Sequence, residues 1–107
     1  MNEAIAKYRQ LVEQYPNNEL ARFSLGQAYF QAGAWTEARE HFEFALARKP
    51  DWMVAHILIG KCDLATGHRF GAKAAFERAR QLALDQNHEG PLEEMNQLLA
   101  DLEQSAP

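Results

Sequence analysis

Shifting the chain by 34 positions aligns it with itself without a gap, and this self-match constrains the fold more than any single residue does. With residues 19–52 laid over residues 53–86, Ala21 meets Ala55, Gly26 meets Gly60, Gly33 meets Gly67, Ala38 meets Ala72, Phe42 meets Phe76, Glu43 meets Glu77 and Ala45 meets Ala79. One further shift places Glu3, Ala4, Tyr8, Leu11, Pro16 and Asn17 over Glu37, Ala38, Phe42, Ala45, Pro50 and Asp51, so the sequence opens halfway through a unit. A period of this length belongs to stacked supersecondary units, none of which can bury its apolar face alone.

Within a unit the apolar residues recur at helical spacing on either side of a break. Leu25, Ala28, Tyr29 and Ala32 share one face, and after Gly33 so do Ala38, Phe42, Ala45 and Leu46. Gly33 and Gly67 stand where a helix end calls for positive φ, Pro16 and Pro50 close the second helices, and Asn17, Asn18 or Asp51 suit the caps of the helices that follow. The pattern predicts helices near 2–14, 19–32, 35–48, 53–66, 69–83 and 91–104, with no alternating segment for a strand. A glycine inside a helix costs about 1 kcal/mol against alanine, so Gly26 and Gly60 are expected to admit a close neighbour. The shallow surface made by Ala38, Ala45, Ala72 and Ala79, with Phe42 and Phe76 beside it, supplies that neighbour.

The run Leu25-Gly26-x-x-Tyr29, Ala38-x-x-x-Phe42, Ala45 and Pro50 resembles the tetratricopeptide repeat, a helix-turn-helix unit of the same period. The second unit keeps Ile59-Gly60, Ala72, Phe76 and Ala79 but carries His56 and Asp63 where the pattern has Trp and Tyr, and Leu84 where it closes on Pro. Arg22 likewise replaces the Trp of the first unit. The resemblance covers residues 2–86. It implies an all-α fold, a short right-handed solenoid of antiparallel helix pairs in one domain: a half repeat over 1–18, repeats over 19–52 and 53–86, and a capping helix over 91–104. It also implies a protein–protein interaction module or adaptor.

Composition agrees with a binding module and removes other classes. The 107 residues carry a net charge of −4, and the eleven Lys and Arg are scattered, which argues against nucleic acid. No apolar run has the length of a membrane span, and no signal-peptide core follows Met1. The lone Cys62 excludes an internal disulfide and a Cys-based zinc site and fits a reducing compartment, so the expected location is the cytoplasm. His41, His56, His68 and His88 include no pair three or four apart that would bring two imidazoles to one metal. Cys62 and His56 read as packed residues. Asp63, at the position of Tyr29, needs a donor, for which Lys73, Arg69 or the last helix are candidates. With no second carboxylate or nucleophile spaced to work with it, neither catalysis nor a cofactor is expected.

Three surfaces stand out. In the last segment Leu92, Met95, Leu98, Leu99 and Leu102 make one apolar stripe under Glu93, Glu94, Gln97, Asp101 and Glu103, as the end of a stack requires. At the other end Ala4, Tyr8 and Leu11 lack the helix that would precede them, so either a homodimer contact or an upstream repeat is expected to cover them. Between the ends, Leu20, Phe23, Gln27 and Phe30 form a second stripe on the first helix of unit one, and Val54, Ile57, Lys61 and Leu64 repeat it in unit two, with Trp52 at one edge. In proteins that resemble this one such positions line the concave groove that holds peptides; interior packing between adjacent helices is the alternative. Relatives that clamp a C-terminal carboxylate use Lys and Asn where this chain has Phe23 and Gln27. The expected ligand is instead an apolar peptide or amphipathic helix from a protein partner, anchored by Phe23, Phe30, Ile57 and Leu64 and oriented by Gln27 and Lys61.

Overall fold

The computed structural model describes residues 2–105, in which six helices follow one another: α1 (Glu3–Gln14), α2 (Glu19–Gln31), α3 (Trp35–Arg48), α4 (Met53–Ala65), α5 (Arg69–Asp85) and α6 (Glu89–Gln104). Each helix packs on its neighbours in the chain. The result is an all-α stack of helix hairpins with extents of 42 × 30 × 20 Å, the repeat architecture that the period predicts. No residue among those described lies in a strand.

Local chemistry sets the helix ends. Asn2 and Asn18 cap α1 and α2, their side-chain oxygens accepting from the backbone N–H groups of Ile5 at 3.1 Å and Ala21 at 3.0 Å. Asp51 does not cap α4; Trp52 occupies that position, with no side-chain hydrogen bond. Gly33 and Gly67 adopt φ of 77° and 83° between the helices of each unit. Asn87, at φ 57°, makes the corresponding turn before α6. α5 therefore runs to Asp85, two residues past the expected end, and α6 starts at Glu89 rather than 91. Pro91 becomes the third residue of α6, within the first turn, where a missing N–H leaves no intrahelical bond unmade.

The core is layered like the sequence. Val12, Ala21 and Leu25 join α1 to α2; Phe23, Ala38, Phe42, Ala45, Ala55, Ile59 and Cys62 join α2, α3 and α4; Met53, Ile57, Ala72, Phe76, Ala79, Met95 and Leu102 join α4, α5 and α6. A Cβ on Gly26 would come within 2.7 Å of the Phe42 ring, and one on Gly60 within 2.4 Å of the Phe76 ring, so both glycines serve the close helix approach inferred for them. Leu92, Leu98 and Leu99 lean on the last cluster around the fully enclosed Met95, which places the stripe of α6 against α4 and α5. Ala32, by contrast, is exposed where α2 ends.

Candidate functional site

The paired stripes on α2 and α4 divide by depth. Leu20 is 62% exposed, and Val54, Leu64 and Gln27 are exposed as well. Phe30 is half-buried, its ring meeting Trp35 edge-on at 5.1 Å between centroids. Phe23 and Ile57 differ from the expectation that they project as anchors: they are only 7% and 6% exposed and belong to the core. The cause is the stacking of units. The Phe23 ring lies on Trp52 at 4.2 Å between centroids and tilts against Phe42, while Ile57 packs with Phe76 and Met95 in the layer that α6 closes. Trp52 is thus half-buried as the partner of Phe23. Lys61 bonds to Glu94 of α6 at 3.0 Å, so it is paired with the last helix rather than a free cation of the stripe. What remains open is a narrower strip of Leu20, Gln27, Phe30, Val54 and Leu64 above a floor of Phe23 and Ile57.

A second feature lies where α3, α4 and α5 meet. Asp63 is 4% exposed, and its donor is Arg39 of α3, not Lys73, Arg69 or the last helix. The Arg39 Nε–H donates to Asp63 Oδ1 at 2.8 Å and Nη2 reaches Oδ2 at 3.4 Å, while Nη1 turns to Glu43. The Asp63 hydrogen bond holds the Arg39 guanidinium above its ordinary pKa, burial opposing it. Arg69, one of the expected donors, instead bonds to the Leu102 carbonyl and the Ser105 hydroxyl at the end of α6. The space for the pair comes from Gly71, where a Cβ would sit 2.7 Å from Asp63 Oδ2. Trp35, Arg39, Cys62, Asp63 and His68 line a cavity of about 410 Å³ there. Burial pushes the Cys62 thiol up to about 11, which leaves it protonated and unreactive at neutral pH.

Two features have no counterpart among the sequence expectations. Between α5 and α6 a groove of about 610 Å³ runs past Phe70, Lys73, Arg80, Leu99 and Leu102, and Phe70 is 91% exposed beside it. On α1, α2 and α3, Arg9, Arg22 and Arg48 gather around aromatic rings. The Arg22 and Arg48 guanidiniums lie 4.2 and 5.1 Å from the Phe44 centroid, and Arg9 donates to the Tyr29 hydroxyl at 2.8 Å. His56 bonds to the Pro50 carbonyl at 2.8 Å, as a packed histidine does. No helix among the described residues is long and apolar enough to cross a membrane.

Comparison with known proteins converges on one family. The tetratricopeptide repeat family matches residues 2–51. A TPR repeat-containing protein of Pseudomonas aeruginosa is 30% identical over 89 residues, covering 83% of this chain and 85% of that protein. Among solved structures, the TPR2B domain of yeast Sti1 in its pHsp70 complex superposes with a TM-score of 0.85 at 18% identity, covering 96% of this chain and 82% of that one. The first TPR of Spaghetti, bound to an HSP90 peptide, gives 0.80 at 22% identity, covering 94% and 75%. At such identities these two are likenesses of fold.

Proposed function

The chain belongs to the tetratricopeptide repeat family, and from that premise we propose that it is a non-catalytic adaptor that seats an apolar peptide or amphipathic helix of a partner protein along α2 and α4. Protein–protein interaction is the general work of this family, and the carrying observation here is the repeat of apolar side chains in one register, 34 residues apart: Leu20 with Val54, both exposed, and the half-buried Phe30 with the exposed Leu64. An apolar strip above a packed floor favours a preformed amphipathic ligand, because neither side then loses much side-chain freedom on binding. The absence of a Lys and Asn pair at positions 23 and 27 sets the ligand apart from a free C-terminal carboxylate. Adaptor work of this kind belongs in the cytoplasm, where the lone cysteine stays reduced.

Selection from a displayed peptide library tests the reading. Apolar and amphipathic sequences should be enriched, and Leu20→Glu with Leu64→Glu should remove them while the thermal midpoint stays within about 2 °C, because both side chains are at the surface. Enrichment that survives the double variant, or none at all, refutes it. Self-association is the second reading, and α1 favours it. Ala38, Phe42 and Ala45 of α3 are fully enclosed, whereas their equivalents on α1 are open: Ala4 is exposed, Leu11 is 37% exposed and Tyr8 is half-buried. Sedimentation equilibrium should then give a dimer that Tyr8→Glu dissociates; a monomer at high micromolar concentration eliminates this reading.

A further inference from the structure

The arginine cluster on α1, α2 and α3 carries an inference independent of the apolar strip. Among the described residues no carboxylate lies within 4.0 Å of Arg9, Arg22 or Arg48, although the chain as a whole has four more acids than bases. Among the described residues only Arg39 and Lys61 hold carboxylates, so what sets these three arginines apart is their convergence on Tyr29 and Phe44. The three are nonetheless held in place. Arg9 is fixed by the Tyr29 hydroxyl, Arg22 donates its Nε–H to the Pro16 carbonyl at 3.3 Å, and Arg22 and Arg48 both lie against Phe44. Each anchor uses one donor or a ring face and leaves most of the five guanidinium N–H donors free. Side chains ordered in advance lose little entropy on meeting a ligand.

His41 completes the surface. It stands one turn before Phe44 on the same face of α3, stacks on Tyr29 at 5.6 Å with only 2° between the rings, and has a buried Nδ1 without a hydrogen-bond partner. Burial first, then Arg22 and Arg9, hold its pKa below the ordinary histidine value, with Glu40 of its own helix opposing. The cluster is elongated. His41 to Arg48 spans about 10 Å along α3 at 1.5 Å per residue, the reach of about three residues of extended chain. One phosphate or free carboxylate cannot touch all of it, and three arginines are too few for a nucleic-acid track on a chain of charge −4.

We propose that Arg9, Arg22 and Arg48, over a floor of Tyr29, His41 and Phe44, form a second docking surface that takes a short acidic segment of a protein partner. Alternate carboxylates of an extended segment fall on one side about 7 Å apart and can meet successive guanidiniums, while the intervening side chains rest on the aromatic floor. None of these residues belongs to the α2 and α4 strip, so either surface can fail alone.

Fluorescein-labelled hexaglutamate is the probe, read by anisotropy with intact protein, alongside hexalysine, inorganic phosphate as competitor, and a single-stranded oligonucleotide. Hexaglutamate should bind, weaken as salt rises, and shift the amides of α3 between His41 and Arg48 together with an upward move of the His41 pKa in NMR titration. Arg22→Gln with Arg48→Gln should lose about tenfold in affinity, Arg22→Lys should lose less, and Arg78→Gln on α5 should stay within about twofold. No binding at roughly 1 mM probe overturns the proposal. So does equal loss in the Arg78 variant, tighter binding of phosphate or oligonucleotide than of the peptide, or amide shifts confined to other helices.

Discussion

Replacing Arg39 by Leu isolates the buried carboxylate of Asp63 and tests how the third and fourth helices are held together. In the native chain Asp63 is 4% exposed and accepts from Arg39 at 2.8 Å, with no other charged donor at hydrogen-bond distance among the described residues. Removing one partner of an enclosed pair costs about 3–5 kcal/mol, because the charge left behind has neither water nor a donor. The side chain of Arg39 is 37% exposed, so solvent enters the space that it leaves and the expected loss is nearer 2–3 kcal/mol. Urea unfolding at pH 7, followed by circular dichroism, measures it, with Arg39→Leu/Asp63→Asn as the reference that carries no charge at this site. The single variant should be less stable than the reference. Equal stability of the two refutes the claim that Asp63 is an enclosed charge held by Arg39.

Further outcomes follow from the packing and the titrating groups. Gly60→Ala should destabilise despite its helix-propensity gain of about 1 kcal/mol, because its Cβ falls 2.4 Å from the fully buried Phe76 ring; Gly26→Ala, at 2.7 Å from Phe42, should lose less in the same thermal melts. Cys62 should react with a thiol reagent at pH 8 far more slowly than in urea, since its thiol is buried and pushed up to about 11. His41, its pKa lowered in the fold by burial and then by Arg22 and Arg9, binds protons more readily unfolded, so it subtracts stability as pH falls below about 6.5 through its folded value. His41→Phe should flatten that part of the stability curve. Phe70→Ser should leave the melting temperature unchanged, as the ring is 91% exposed.

The period made the fold legible, and what it concealed were contacts between units that are not copies of each other. Gly26 with Phe42 and Gly60 with Phe76 repeat the same knob and hole, so one alignment predicts both. Asp63 has no such copy. Its donor lies 24 residues earlier, in the second helix of the previous unit, whereas the sequence points to donors in the following helix or the last one. A signal was present: the second unit replaces Tyr29 by Asp63 and, at the same offset, Glu37 by Gly71, whose missing Cβ makes room for the carboxylate. Paired departures from a repeat mark contact where a single departure marks only tolerance. The depth of the groove residues is hidden from the sequence for a different reason. A helical wheel assigns Phe23 and Ile57 to the face of Leu20 and Val54 correctly, yet depth on that face depends on what the neighbouring units bring up to it. Trp52 covers Phe23 from the start of α4, and α6 closes the layer around Ile57. The residues one step outward, Leu20 and Leu64, have no such cover, so partner specificity in this chain should reside in them and not in the two that look most like anchors in the sequence.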